Sequence, residues 1–172
     1  MLKNTILFMM VTIFLGCSSL PLPEAISPSN DTSRVTANVD LENEVFAIGD
    51  AKIGDSGTLV ATGKASQDAK DKLKSRIIDE EKIIFNSFLV PADPYTRKIL
   101  EPALPDLMDY TATLLVQRAT EKQTWIENNK AYILYTLSKG DILMESQNIF
   151  SQYLDDITNK FLIIKEGVTQ TQ

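Results

Sequence analysis

Few residues in this chain are of types that carry chemistry, and their spacing limits what they can do. Carboxylates cluster twice, at Asp79-Glu80-Glu81 and at Asp155-Asp156, the kind of grouping a glycosidase or a calcium site draws on. Both runs lie in segments of helical periodicity, where adjacent side chains point about 100° apart, so neither converges without a partner from elsewhere. The expectation for both is a solvated charged face. Asp50 and Asp55 flank a turn but lack the alternating oxygen ligands of an EF-hand. Gly49, Gly54, Gly57 and Gly63-Lys64 stand where a phosphate loop would, between strand and helix. However, Thr58 occupies the place of the loop's first glycine, and Ala65 replaces the hydroxyl that would hold magnesium. The reading is a glycine-containing turn into a helix.

The chain has no histidine, and its single cysteine is Cys17. That composition excludes a Ser-His-Asp triad, imidazole acid/base catalysis, an internal disulfide and a cysteine or histidine zinc site. No catalytic, metal-binding or cofactor-binding residue is therefore expected. Trp125, Tyr132 and Tyr135 offer aromatic surface for glycan or protein. Alternation along a strand puts Tyr135 with Ile133 on one face and Tyr132 on the other, so at least one of these faces is expected to be core.

Cys17 itself points to an address. Lys3 precedes an apolar run over residues 6–15 that is too short to span a bilayer, and the run ends at Gly16 beside the thiol. Residues 1–16 read as a secretory signal, and Leu15-Gly16-Cys17 resembles the lipobox of bacterial lipoproteins. There the thiol accepts a diacylglyceryl group, and the cysteine becomes the new, fatty-acylated (palmitate-bearing) N-terminus. At about 0.8 kcal/mol per buried methylene, three acyl chains hold essentially permanently where one holds marginally. Ser18 and Ser19 lack the Asp that retains enteric lipoproteins in the inner membrane, which favours the outer membrane by analogy. Without Lys3 the mature chain has 16 basic and 23 acidic residues, a formal charge of 16 − 23 = −7. Such a chain is not expected to follow nucleic acid or to seek anionic lipid by charge.

The elements behind these residues read as follows. Residues 17–43, rich in Ser, Pro, Asn and Thr, form a tether with a root-mean-square span of about 28 Å. Residues 44–167 form one α+β domain, and residues 168–172 a disordered tail. Within the domain, residues 44–52 make a buried strand. Ala61, Ala65, Ala69, Leu73 and Ile77 recur every four residues on a helix whose small side chains let its backbone lie close to the sheet; Ile78, Ile83, Ile84, Phe85, Phe88 and Leu89 thicken the core beyond. Pro91 and Pro94 break the chain, and a fresh helix starts near Pro105 with Leu104, Leu107, Met108, Leu114 and Leu115 inward. Two β-prone runs separated by Asn128-Asn129 make a hairpin. A last helix opens with Asp141 as N-cap and carries Ile142, Ile149, Phe150, Tyr153, Leu154, Ile157, Phe161 and Ile164 at helical spacing. The order β-α-α-β-β-α implies a small, largely antiparallel sheet of about three strands covered by helices. On the last helix, Phe150, Leu154 and Ile157 are expected in the core. Tyr153, Phe161 and Ile164 are expected at an interface, because a helix end far from the sheet has least of its own domain to cover.

The segment Ala47-Ile48-Gly49-Asp50-Ala51-Lys52, the alanines 61, 65 and 69, Trp125, and Ala131-Tyr132-Ile133-Leu134 resemble the LPP-twenty family of small bacterial lipoproteins, which includes FlgP-type flagellar outer-membrane lipoproteins. The resemblance covers roughly residues 45–137. It implies an α+β lipoprotein without enzymatic activity, displayed on the outer membrane as a structural part of the cell envelope and in some members assembled into rings. Self-association or an envelope protein partner follows as the expectation. The competing reading is a tethered periplasmic regulator of a cell-wall synthase, resembling LpoB. A hydrolase using carboxylates alone would need an Asp or Glu pair facing one cleft.

Overall fold

The computed structural model describes residue 35 and residues 37–169, with side chains as far as residue 163. The signal, Cys17 and most of the tether lie outside the described residues. Three strands, β1 (Glu44–Lys52), β2 (Thr120–Glu127) and β3 (Lys130–Ser138), form one antiparallel sheet in the order β1-β3-β2. Among the described residues, four helices of seven residues or more accompany them: α1 (Gly57–Leu89), α2 (Pro94–Leu100), α3 (Leu104–Val116) and α4 (Lys139–Thr169). This is the α+β architecture expected, in the expected order, with α2 and α3, joined by a 3₁₀ turn (Glu101–Ala103), together forming the second helical region.

The β2–β3 hairpin turns on Asn128 and Asn129 at φ 49° and 59°, both in the left-handed region that asparagine tolerates and a two-residue hairpin requires. Register runs from Glu127↔Lys130 to Thr120↔Thr136, with one extra residue in β2 between Glu121 and Gln123. β1 pairs with the other side of β3 along its whole length, from Glu44↔Ser138 to Lys52↔Lys130.

Helix α1 lies on one face of this sheet, closest to β1. Its buried residues are Ala61, Ala65, Ala69, Leu73, Ile77, Glu81, Phe85 and Leu89, spaced by four without exception. Four residues advance a helix by about 400°, so the buried stripe turns about 40° at each step. Ala61 to Ile77 therefore face the sheet, against Val45, Ala47, Ala131, Ile133, Tyr135 and Leu137. Phe85 and Leu89 face away from it, into a second cluster with Leu100, Leu104 and Phe150. The close approach has a second cause in Gly49. A Cβ there would stand 2.1 Å from the Ala65 carbonyl oxygen and 2.2 Å from the Ala69 nitrogen, so glycine on the strand and alanine on the helix let two backbones touch.

The opposite face of the sheet is also covered. Trp125 stacks on Tyr132, with ring centroids 5.2 Å apart and planes within 7°. With Leu134 and the half-buried Phe46 and Ile48, the Trp125–Tyr132 stack packs against Val35 and Val39. This corrects the expected boundary of the tether: at 3% and 8% exposure, Val35 and Val39 belong to the domain, which starts before residue 44. Two valines four residues apart bring one small apolar face onto the sheet, and Asp40 then turns the chain into β1 by accepting hydrogen bonds from the Glu42 and Asn43 amides.

Asp93 caps α2 by accepting from the Tyr95 and Thr96 amides at 2.9 and 3.2 Å, with Pro94 in the first turn, where its missing N–H costs nothing. Helix α3 starts one residue before Pro105, as expected; it buries Thr111, Ala112 and Val116 in addition to Leu104 and Leu115, while Leu107, Met108 and Leu114 are half-buried. Helix α4 starts at Lys139 rather than at an Asp141 cap. β3 runs straight into the helix, and Ser138 Oγ accepts the Gly140 amide at 3.1 Å, which leaves Asp141 in the first turn as a favourable negative charge. Ile83, expected in the core, is 70% exposed, because it lies off the four-residue stripe.

Candidate functional site

The acidic runs do not assemble a reactive centre. Asp79 is exposed and holds Lys82 at 2.7 Å, Glu80 is half-exposed, and Glu81 points the other way into the protein. Asp156 is exposed and holds Lys160 at 2.6 Å. Asp50 is bound to Lys130 at 2.8 Å, and Asp55 is exposed in the turn before α1. Among the described residues, no three acidic, histidine or cysteine side chains stand where they could hold one metal ion. Gly63 and Lys64 lie inside α1, not in a loop ahead of it, so no anion cradle forms there. Trp125 is 8% exposed, so the expected aromatic patch is core on its Trp125–Tyr132 side. Tyr135, on the α1 face, bonds Ser66 at 3.0 Å and has the Lys70 ammonium over its ring.

The concave surface between β1, α1 and the start of α4 is a shallow cavity of about 230 Å³ lined by Glu44, Phe46, Arg76, Asp79, Glu80 and Lys139. Its principal feature is a clasp on the free edge of β1. Asp68, Lys72 and Arg76, one turn apart on α1, reach over that edge in turn. The Asp50 amide donates to Asp68 Oδ2 at 2.9 Å, Lys72 Nζ donates to the Ile48 carbonyl at 3.4 Å and to Asp68 at 2.6 Å, and Arg76 donates to the Phe46 carbonyl. The Arg76 guanidinium also lies 4.7 Å over the Phe46 ring, and its burial pulls its pKa down from the ordinary value. Burial pushes the Asp68 carboxyl up, but the bonds from Lys72 and the Asp50 amide outweigh it and hold the carboxyl below its usual range. Glu44 follows the same pattern, with burial outweighed by bonds from the Asp40 amide, Lys122 and Thr136. An outer strand whose backbone groups are taken by side chains offers little for another chain to pair with. The clasp therefore occupies three outward backbone groups of β1, and with carboxylates and cations interleaved it leaves no site of one sign.

Exposed apolar surface is found instead at the far end of α4. The first half of the helix is seated: Ile142, Glu145, Ser146, Ile149 and Phe150 are buried, and the Phe85, Phe88 and Phe150 rings meet 5.3 to 5.9 Å apart. Tyr153 and Ile157 are half-buried against the second cluster, so Tyr153, expected at an interface, is largely engaged by its own domain. Leu154, expected in the core, is 36% exposed because the stripe at that turn faces past α2 and α3. Beyond Ile157 no described side chain is buried. Phe161 is 58% exposed, Leu162 51% and Ile163 68%, while the Ile164 side chain lies outside the described residues. From residue 158 to Thr169 the helix runs about 18 Å past Ile157, which packs against the second cluster. Phe161 thus stands where the sequence placed it, outside the core.

Sequence reasoning missed Glu81. It is fully buried where the sheet-facing part of the α1 stripe hands over to the second cluster, with Ser146 of α4 and Thr111 of α3, both equally buried, at the same junction. Neither carboxyl oxygen has a hydrogen-bond partner, nor has Ser146 Oγ, whereas Thr111 is satisfied by the Leu107 carbonyl at 2.7 Å. Burial pushes the Glu81 carboxyl up to about 8; the Ser146 hydroxyl pulls modestly the other way, and the Asp109 charge adds to the rise. The signal was present in the four-residue spacing itself, since 81 lies between 77 and 85 on the stripe. No protein-family model matches the chain, and no curated protein matches it.

Proposed function

We propose that this chain is a lipid-anchored, non-catalytic protein of the bacterial outer membrane that works through protein contacts, with copies of itself or with another envelope protein. The observation that carries the reading is the end of α4, where Phe161, Leu162 and Ile163 are all more than half exposed on a helix that outruns its own domain. Three successive apolar residues, 161 to 163, point about 100° apart around the helix, and an apolar surface of that kind is costly to leave in water. The clasp on β1 disfavours strand addition along that edge of the sheet. The lipobox-like Gly16-Cys17 supports the anchor, and the LPP-twenty likeness supports an envelope role without catalysis.

The test is Phe161→Glu in the full chain, followed by sedimentation at rising concentration. The wild type should form multimers and the variant should not. The thermal midpoint should stay within about 3 °C, since a half-exposed position off the core is expected to change stability by only about 0.5 kcal/mol. Unfolding of the variant, or a wild type that stays monomeric at all concentrations and captures no envelope protein, would overturn the reading. A monomer that retains one cell-wall synthase would replace it with the LpoB-like regulator.

A further inference from the structure

Glu81 of α1 is fully buried beside Ser146 of α4, and Asp109 of α3 is near enough to act on its charge. Among the described residues, three cations on or beside these helices are engaged elsewhere. Lys74 is held by Asp109 of α3 at 2.7 Å, Arg118 just after α3 is held by Glu145 of α4 at 2.6 Å, and Lys82 is held by Asp79 at 2.7 Å. The charge that acts on Glu81 is that of Asp109, of its own sign. An ionised carboxylate enclosed here would have no counter-ion and no hydrogen-bond donor of good geometry, and a protein interior does not hold such a charge closed. A neutral carboxyl beside the Ser146 hydroxyl can be enclosed.

We propose that Glu81 is a proton-operated latch between α1 and α4: with its carboxyl neutral the helices close over it, and its ionisation releases the first half of α4 from its seat. The part released, residues 142–150, is the part that anchors the exposed end of the same helix, so the latch sets how rigidly that contact surface is presented. This consequence rests on the proposed function; the latch itself does not.

The direction follows from the raised carboxyl. The closed state holds a proton up to about pH 8, while an opened state releases it near the ordinary 4.5. Between those limits opening becomes easier by up to about tenfold per pH unit, and above the upper one it levels off. The device is therefore shut in acid and loosened towards neutral and alkaline pH.

Amide hydrogen exchange on the full chain in detergent, corrected for intrinsic rates, reads this directly. In the wild type, protection of amides 145–153 should fall about tenfold per unit over roughly pH 5.5 to 7.5 and flatten above 8, while that of the sheet changes far less. In Glu81→Gln, which keeps shape and cannot ionise, protection of α4 should be independent of pH. Infrared difference spectra should show a protonated carboxyl in the wild type at pH 6 that is absent from the variant. Ser146→Ala, by removing the group that favours the charged form, should move the wild-type midpoint upward. The latch is overturned if α4 protection in the wild type and Glu81→Gln follows one pH course, or if no protonated carboxyl is present at pH 6. Should Glu81→Gln fail to fold, wild-type α4 protection that stays constant from pH 5.5 to 7.5 overturns it equally. None of these readouts involves acylation or a partner, so failure here leaves the proposed function standing, and the reverse.

Discussion

Gly49→Ala adds one methyl group at the closest approach in the molecule. The new Cβ would stand 2.1 Å from the Ala65 oxygen, 2.2 Å from the Ala69 nitrogen and 2.7 Å from the Ala69 Cα, all of them backbone atoms of α1 that no rotamer change can withdraw. Restoring an ordinary contact of 3.4 Å requires the helix to lift from the strand by 3.4 − 2.1, or about 1.3 Å. A gap of 0.5 to 1 Å already forfeits a quarter to a half of the dispersion attraction between facing atoms, and Ala61, Ala65, Ala69 and Leu73 all share this seam. The cost should therefore lie at the upper end of the overpacking range, about 3 kcal/mol, or a fall of about 10 °C in the thermal midpoint. Gly63→Ala is the internal control. Gly63 lies in the same helix with nothing within 4 Å of its would-be Cβ, and relief of a helical glycine should stabilise by about 1 kcal/mol. Urea titration monitored by circular dichroism measures both. A Gly49→Ala midpoint indistinguishable from the wild type, or displaced in the same sense as Gly63→Ala, would show that α1 is not seated on β1 as described.

Ala69→Leu should lose about 1 to 3 kcal/mol in the same assay, whereas Lys70→Leu, one residue on and partly exposed, should lose much less; equal midpoints would place the packed face elsewhere. Glu81→Leu should be more stable than the wild type at pH 8 and nearly equal to it at pH 5. A raised carboxyl penalises the fold increasingly as pH climbs from 4.5 towards 8, by up to about 3 kcal/mol at pH 7, and urea midpoints at the two pH values check it. Cys17→Ser should move the protein out of the membrane fraction and abolish incorporation of labelled palmitate; a variant that still sediments with membranes, beside a wild type that takes up no label, contradicts the anchor.

Where local chemistry and tertiary environment agreed, the fold was legible. The alanines at 61, 65 and 69 could only mean a close seam, and Asn128-Asn129 between two β-prone runs could only mean a tight turn; both stand as read. Glu81 was not legible from residue type, because a carboxylate between an Asp-Glu pair and a lysine reads as solvated; only its place on the four-residue stripe argued otherwise. Val35 and Val39 were hidden in the same way, their two side chains outweighed by the Ser, Asn and Thr around them. The apolar stripe of α4 was plain along its whole length. How much of it the domain itself covers depends on where α1, α2 and α3 end in space, which no periodicity within α4 encodes. That is why Leu154 and Tyr153 exchanged their expected places while Phe161 kept its own.

The claim at the centre of this account is that a tethered domain makes its contact through the free end of α4. A photo-crosslinking residue at position 161, activated in cells with and without the Cys17→Ser change, tests it most directly. The account predicts a discrete adduct, to a second copy or to one envelope protein, that forms with Cys17 intact and is lost with serine in its place. It is contradicted if position 161 yields no adduct in cells, if an exposed position such as Lys64 yields as much as position 161, or if the adduct is unaffected by loss of Cys17.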